Sequence, residues 1–168
     1  MDDDPKSLIR HLLSEMDAGN PSAADEIIAG AKEVVASHGR EAMAGNLDGL
    51  VANAAEDIVV VVPGAPLVLG RDDFREFYGA LLEAGSVEFK HEYAGSEVVG
   101  DAVVLHGVSG GTMTPTDGTP TPVENNFLLI LKPDESGAMK LWRGAFAPPS
   151  MGWRWSTPAV TAGLCGHG

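Results

Sequence analysis

The sequence predicts an α+β domain, and three observations carry that reading. Apolar residues recur at helical spacing from Leu8 to Ala42. A continuous β-branched segment, Ile58 to Val62, then runs through a Pro-Gly turn into a second amphipathic stretch. Beyond Gly85 the pattern becomes an alternating meander punctuated by turn residues. Helices followed by a long antiparallel meander imply a curved antiparallel sheet wrapped around N-terminal helices. Such a sheet leaves a cavity in its concave face.

Taken in order, Leu8, Ile9, Leu12, Leu13 and Met16 mark a first helix that Gly19, Asn20 and Pro21 end. Ser22 is placed to cap the next helix, with Asp25 at its positive end. Ile27, Ile28, Ala31, Val34, Val35, His38 and Ala42 form its apolar stripe, and Gly45-Asn46 close it. A short helix spans Leu47 to Ala54. Strands follow at Ile58–Val62 and Leu67–Leu69, and a helix over Asp72–Glu83 carries Phe74, Phe77, Tyr78, Leu81 and Leu82 on one face. Four longer strands are expected at Val87–Val99, Ala102–Met113, Val123–Leu131 and Met139–Phe146. The division that results is an N-terminal extension over 1–30, a domain over 31–147 and a Gly/Pro-rich tail over 148–168 bearing Trp153 and Trp155.

Composition narrows the partners. Eleven basic against 24 acidic side chains in 168 residues give a net charge of −13, which opposes binding to nucleic acid or an anionic membrane. The longest apolar runs fall well short of the roughly 20 residues that span a bilayer. The opening MDDDPKSL is acidic where a secretion signal is basic. Cys165 is the sole cysteine, so a cytoplasmic setting is expected. No histidine pair has metal-ligand spacing and no glycine loop suits a phosphate, so neither metal nor organic cofactor is expected.

Register nominates a site. A two-residue turn at Gly100-Asp101 sets Val99 opposite Ala102, His106 opposite Gly95 and Val108 opposite Tyr93. Alternation then collects Val87, Phe89, His91, Tyr93, Val104, His106 and Val108 on one face, with Glu88, Lys90, Glu92, Val103 and Leu105 on the other. A similar turn at Asp117-Gly118 adds Asn125, Phe127 and Leu129 to the first face. That apolar, histidine-bearing face is expected inside, with Val62, Trp142 and Phe146 as further wall. His38 on its helical stripe reads either as a histidine satisfied by backbone or as a donor, Arg71 as the residue holding its turn together, and Tyr78 as core. Leu128, Ile130, Leu141 and Ala145 are expected on the outer face, where a two-fold homodimer would cover them.

The order of helix, apolar strand, Pro-Gly turn, short strand, "GR" and a helix containing "FY" resembles the nuclear transport factor 2-like superfamily over Glu33 to Ala147. That superfamily includes ketosteroid isomerase, scytalone dehydratase, limonene epoxide hydrolase and the SnoaL-like cyclases. The resemblance implies the cystatin-like cone, here with an extra N-terminal helix. Laid over ketosteroid isomerase, the helix tyrosine falls on His38, the strand-end aspartate on Val62 and the second oxyanion donor near Leu129. Two carboxyl groups are thus replaced by aliphatic side chains, and steroid isomerisation by that mechanism is not expected. The acid that SnoaL-like cyclases place on the penultimate strand is missing from Phe127–Leu131.

Scytalone dehydratase-like members use histidine and tyrosine, which His38, His91, Tyr93 and His106 could supply. The function so implied is a small-molecule pocket protein for a hydrophobic, oxygenated, polyketide- or steroid-like ligand. It would act as a cofactor-independent isomerase, dehydratase or cyclase, with His91 as base and His38 and Tyr93 as donors. The alternative is a non-catalytic ligand-binding or association module of the same fold.

Overall fold

The computed structural model describes residues 22–149. The expected helix from Leu8 to Met16 and the Trp153/Trp155 tail lie outside them. Helix α1 (Ala23–Met43) opens on a capping box: Ser22 Oγ accepts from the Asp25 amide, and the Asp25 carboxylate accepts from the Ser22 amide at 3.1 Å. The helix runs unbroken across the division drawn between residues 30 and 31. Gly45, at φ 67°, ends it. Ala31, Val35, Gly39 and Ala42 form its buried stripe, while Ile27, assigned to that stripe from sequence, is 41% exposed.

After α2 (Leu47–Ala52), strand β1 (Ala54–Val61) turns through Pro63-Gly64 to β2 (Val68–Leu69) and α3 (Gly70–Ala84). Arg71 fixes this corner as expected. Its Nε and Nη2 donate to the Ala54 carbonyl at 3.0 and 2.8 Å, and Nη1 meets Glu56 at 3.2 Å. Strands β3 (Gly85–Val99), β4 (Ala102–Pro115), β5 (Thr121–Pro133) and β6 (Met139–Ala147) complete a six-stranded sheet in the order β2-β1-β6-β5-β4-β3. All neighbours are antiparallel except β1 and β6. The sheet is curved and does not close, so one face must be covered by helices.

That covering is the core. Phe74, Leu50, Ile58, Leu105, Leu131 and Val103 are essentially removed from solvent, each worth roughly 1.5–3 kcal/mol of transfer free energy. No helix among the described residues is long and apolar enough to cross a membrane.

The hairpin register holds as far as Gly95, which faces His106. A β-bulge between Tyr93 and Gly95 then shifts it, so Tyr93 faces Gly107 and Glu92 faces Val108. On the turn side of the bulge the inward residues of β4 are Val103 and Leu105, both fully buried. The expectation that Val104, His106 and Val108 point inward is therefore corrected. Opposite the bulge the strands approach closely. A Cβ on Gly107 would collide with the Glu92 carbonyl, and one on Gly111 with the Glu88 carbonyl, whereas Gly110 has open space. Gly107→Ala and Gly111→Ala should each cost about 2 kcal/mol or more in urea unfolding, while Gly110→Ala should stay within about 0.5 kcal/mol of the parent.

Candidate functional site

Between the concave face and helices α1 and α3 lies a cavity of about 180 Å³. Val35, His38 and Gly39 reach it from α1, and Phe74, Phe77, Tyr78 and Leu81 from α3. Ile58, Val60 and Val62 come from β1 and its end. The sheet adds Phe89 and His91, Ser109 and Met113, then Val123, Asn125 and Leu129, and finally Leu141, Arg143, Gly144 and Phe146. The wall is mostly hydrocarbon, so its few polar groups define the chemistry.

Two helices bring the first pair together. His38 Nε2 and the Tyr78 hydroxyl are 2.8 Å apart, forty residues apart in sequence, with their rings edge to face at 5.0 Å. Phe74 packs against both rings. His38 Nδ1 is buried and has no hydrogen-bond partner among the described residues. Desolvation, followed by the nearby charge of His91, lowers the His38 pKa to about 4. Burial pushes the Tyr78 phenol up, so it stays a neutral hydroxyl.

A second polar row crosses the sheet. His91 pairs with Ser109 and Ser109 with Asn125, and all three line the cavity. Ser109, only 4% exposed, is the one polar residue fully buried among the described residues. The His91 ring stands edge-on to Phe127 at 5.3 Å, and burial lowers its pKa. Neutral imidazoles therefore face each other across an apolar space at neutral pH.

Of the residues nominated from sequence, His38, His91, Val62, Phe89, Asn125, Leu129 and Phe146 meet at this cavity. Tyr93 does not line it; its ring lies against Phe127 at 5.8 Å, in a groove between α1 and β3. Phe127 is buried beneath both rings and does not line the cavity either. His106 is exposed, its ring set against Gly95, and Val104 and Val108 share its side of β4.

Trp142 is likewise outside. A bulge pairs Ile130 with Arg143 and Leu131 with Leu141, which leaves Trp142 as the extra residue. Its indole donates to Asp57 at 2.9 Å, and Lys132 and Arg143 stand over its ring at 4.5 and 3.9 Å. That indole hydrogen bond and the Arg143 guanidinium hold the Asp57 carboxyl below its ordinary range. The same bulge turns Leu141 inward, correcting its assignment to the outer face. Sequence reading missed Tyr78 and Ser109 as site residues. Tyr78 was on the correct helical face, but only tertiary packing pairs it with His38; Ser109 would have followed from a register that included the β3 bulge. Among the described residues no three His, Cys, Asp or Glu side chains converge on a metal-sized site.

Comparison with known proteins places this geometry. No protein with a curated description matches the chain. Among solved structures, a ketosteroid isomerase-like protein from Erwinia carotovora atroseptica superposes with a TM-score of 0.67 at 20% identity, over 75% of this chain and 98% of its own. An NTF2-like protein with a cystatin-like fold from Novosphingobium aromaticivorans matches at 0.58 and 21% identity, over 90% and 93%. A candidate scytalone dehydratase from the same species matches at 0.65 and 12% identity, over 73% and 91%. At these identities the likeness concerns the fold. A family profile for the SnoaL-like domain matches residues 35–132. With more than half its length so matched, the chain belongs to the SnoaL-like domain family.

Proposed function

We propose that the protein binds a hydrophobic, oxygenated small molecule and moves a proton on it, as an isomerase, dehydratase or cyclase needing no cofactor. The observation that carries this reading is an apolar cavity lined by two imidazoles that burial holds neutral, His38 and His91, the first with its Nδ1 unpartnered among the described residues. A buried donor or acceptor left unpaired is costly, and a ligand carbonyl would relieve that cost.

The roles follow from the hydrogen bonds. Tyr78 has no acceptor other than His38 among the described residues, so its hydroxyl donates to Nε2 and leaves the proton on Nδ1. His38 Nδ1–H then donates to a ligand carbonyl oxygen. His91 takes a proton from the adjacent carbon, the electron pair moves onto that oxygen, and His91 returns the proton at a second carbon. Tyr78 is a positioning residue in this scheme, and Tyr93, which sequence analysis made a donor, has no part in the proton transfer. A thermal-shift screen of aromatic ketones, steroids and polyketide fragments should find a stabilising ligand. His91→Gln should slow α-proton exchange of that ligand, followed by NMR, by roughly 100-fold or more. Exchange at the parental rate would instead favour the non-catalytic binding module.

The pH dependence of stability tests the buried imidazole separately. In the unfolded chain His38 takes up a proton near its ordinary 6.5, whereas the folded imidazole resists it down to about 4. Acidification across that window favours the unfolded state, so this contribution is full above pH 6.5 and lost towards pH 4. His38→Gln should lose less stability than the parent between those pH values, measured as urea midpoints.

Assembly is proposed as a two-fold homodimer through the outer sheet face. Leu128 is 45% exposed there, with Ile130 two residues further along the same strand and Ala145 opposite it on β6. Light scattering at tens of micromolar should give the dimer mass, and Leu128→Glu should shift it to monomer.

A further inference from the structure

The cavity is small for a multi-ring or chain-like ligand. Its volume of about 180 Å³ falls below the ~300–1,000 Å³ usual for sites that hold drug-sized molecules. Additional room lies next to it. A groove of about 560 Å³ runs between α1 and β3, and Val35, Gly39, Phe89 and His91 line both spaces.

The groove differs from the cavity in charge. Its remaining wall includes Lys32, Glu33, Arg40 and Tyr93. Arg40 and Glu33 neutralise each other at 2.6 Å. The Lys32 ammonium stands 4.8 Å from the centre of the Tyr93 ring and has no carboxylate partner among the described residues. His91 is held towards its neutral form by burial, and burial likewise raises the pKa of the Tyr93 phenol. One uncompensated cation thus sits beside an apolar cavity in a chain of net charge −13. Overall repulsion would keep an anion from most of this surface, which makes the local exception informative.

We infer that the ligand is an amphipathic carboxylate. Its apolar ring occupies the cavity, its chain crosses beside His91 between Val35 and Phe89, and its carboxylate meets Lys32 and the Tyr93 hydroxyl. This rests on the pocket reading above and adds the ligand's charge and direction. It also gives Tyr93 a part outside the cavity, as a carboxylate contact.

Isothermal titration of the full chain with ω-phenylhexanoate and its neutral amide tests the inference. At low salt the carboxylate should bind about tenfold more tightly than the amide, as a hydrogen bond to a charged group allows. The preference should shrink at about 0.5 M salt. Lys32→Gln should erase it and Lys32→Arg should keep it, with both variants melting like the parent. Equal binding of acid and amide, or a preference unchanged by Lys32→Gln, overturns the inference and leaves the pocket reading intact. Failure of both probes to bind the parent overturns the pocket reading for this ligand class, and the inference with it.

Discussion

Between Tyr93 and Gly95, β3 carries one residue more than its partner strand, and the inner surface of the long hairpin depends on where that residue falls. Before it, Phe89 and His91 point at the helices; beyond it, the buried pair on β4 is Val103 and Leu105. A bulge also increases local twist and bends its strand, and here the bent strand lies against glycines on β4 that admit its carbonyls. The curvature that makes room for the cavity and the selection of side chains that line it therefore share one cause. A regular hairpin would put His106 on the face that Leu105 occupies.

Local chemistry was readable wherever a few adjacent residues decide the outcome. Ser22 and Asp25 form the capping box, Gly100-Asp101 makes the tight turn, and the stripe on α3 faces the core. Bulges are set by how two distant strands fit together, so Val104, His106, Val108 and Trp142 were assigned to the wrong face. Asn125 and Leu129 were assigned correctly through two compensating slips. A two-residue turn at Asp117-Gly118 would pair Asn125 with Gly110, but it pairs with Ser109, and the β3 bulge restores the parity. The His38–Tyr78 contact spans forty residues and two helices. No pattern along the chain encodes it.

The electrostatic arrangement follows from the same layering. Carboxylates crowd the exterior and oppose one another there, which favours solubility over stability. Inside, desolvation keeps both imidazoles uncharged, so the cavity avoids the cost of a buried ion while retaining groups that exchange protons. The sheet behind it is also tied down by charge. Arg143 donates to the Asp57 carbonyl at 2.8 Å, and the Asp57 carboxylate holds the Trp142 indole. Those contacts join β1 to β6, the one parallel pair among the described strands.

Gly39 lies one residue beyond His38, buried in α1, on the boundary of both cavity and groove. A Cβ built there meets no atom within 4 Å. Helices ordinarily disfavour glycine by roughly 1 kcal/mol relative to alanine, so larger residues at this position are not penalised by the backbone. They would instead grow into the empty volume. The boundary between the two spaces is thus adjustable at a single position while the rest of the fold stays as it is.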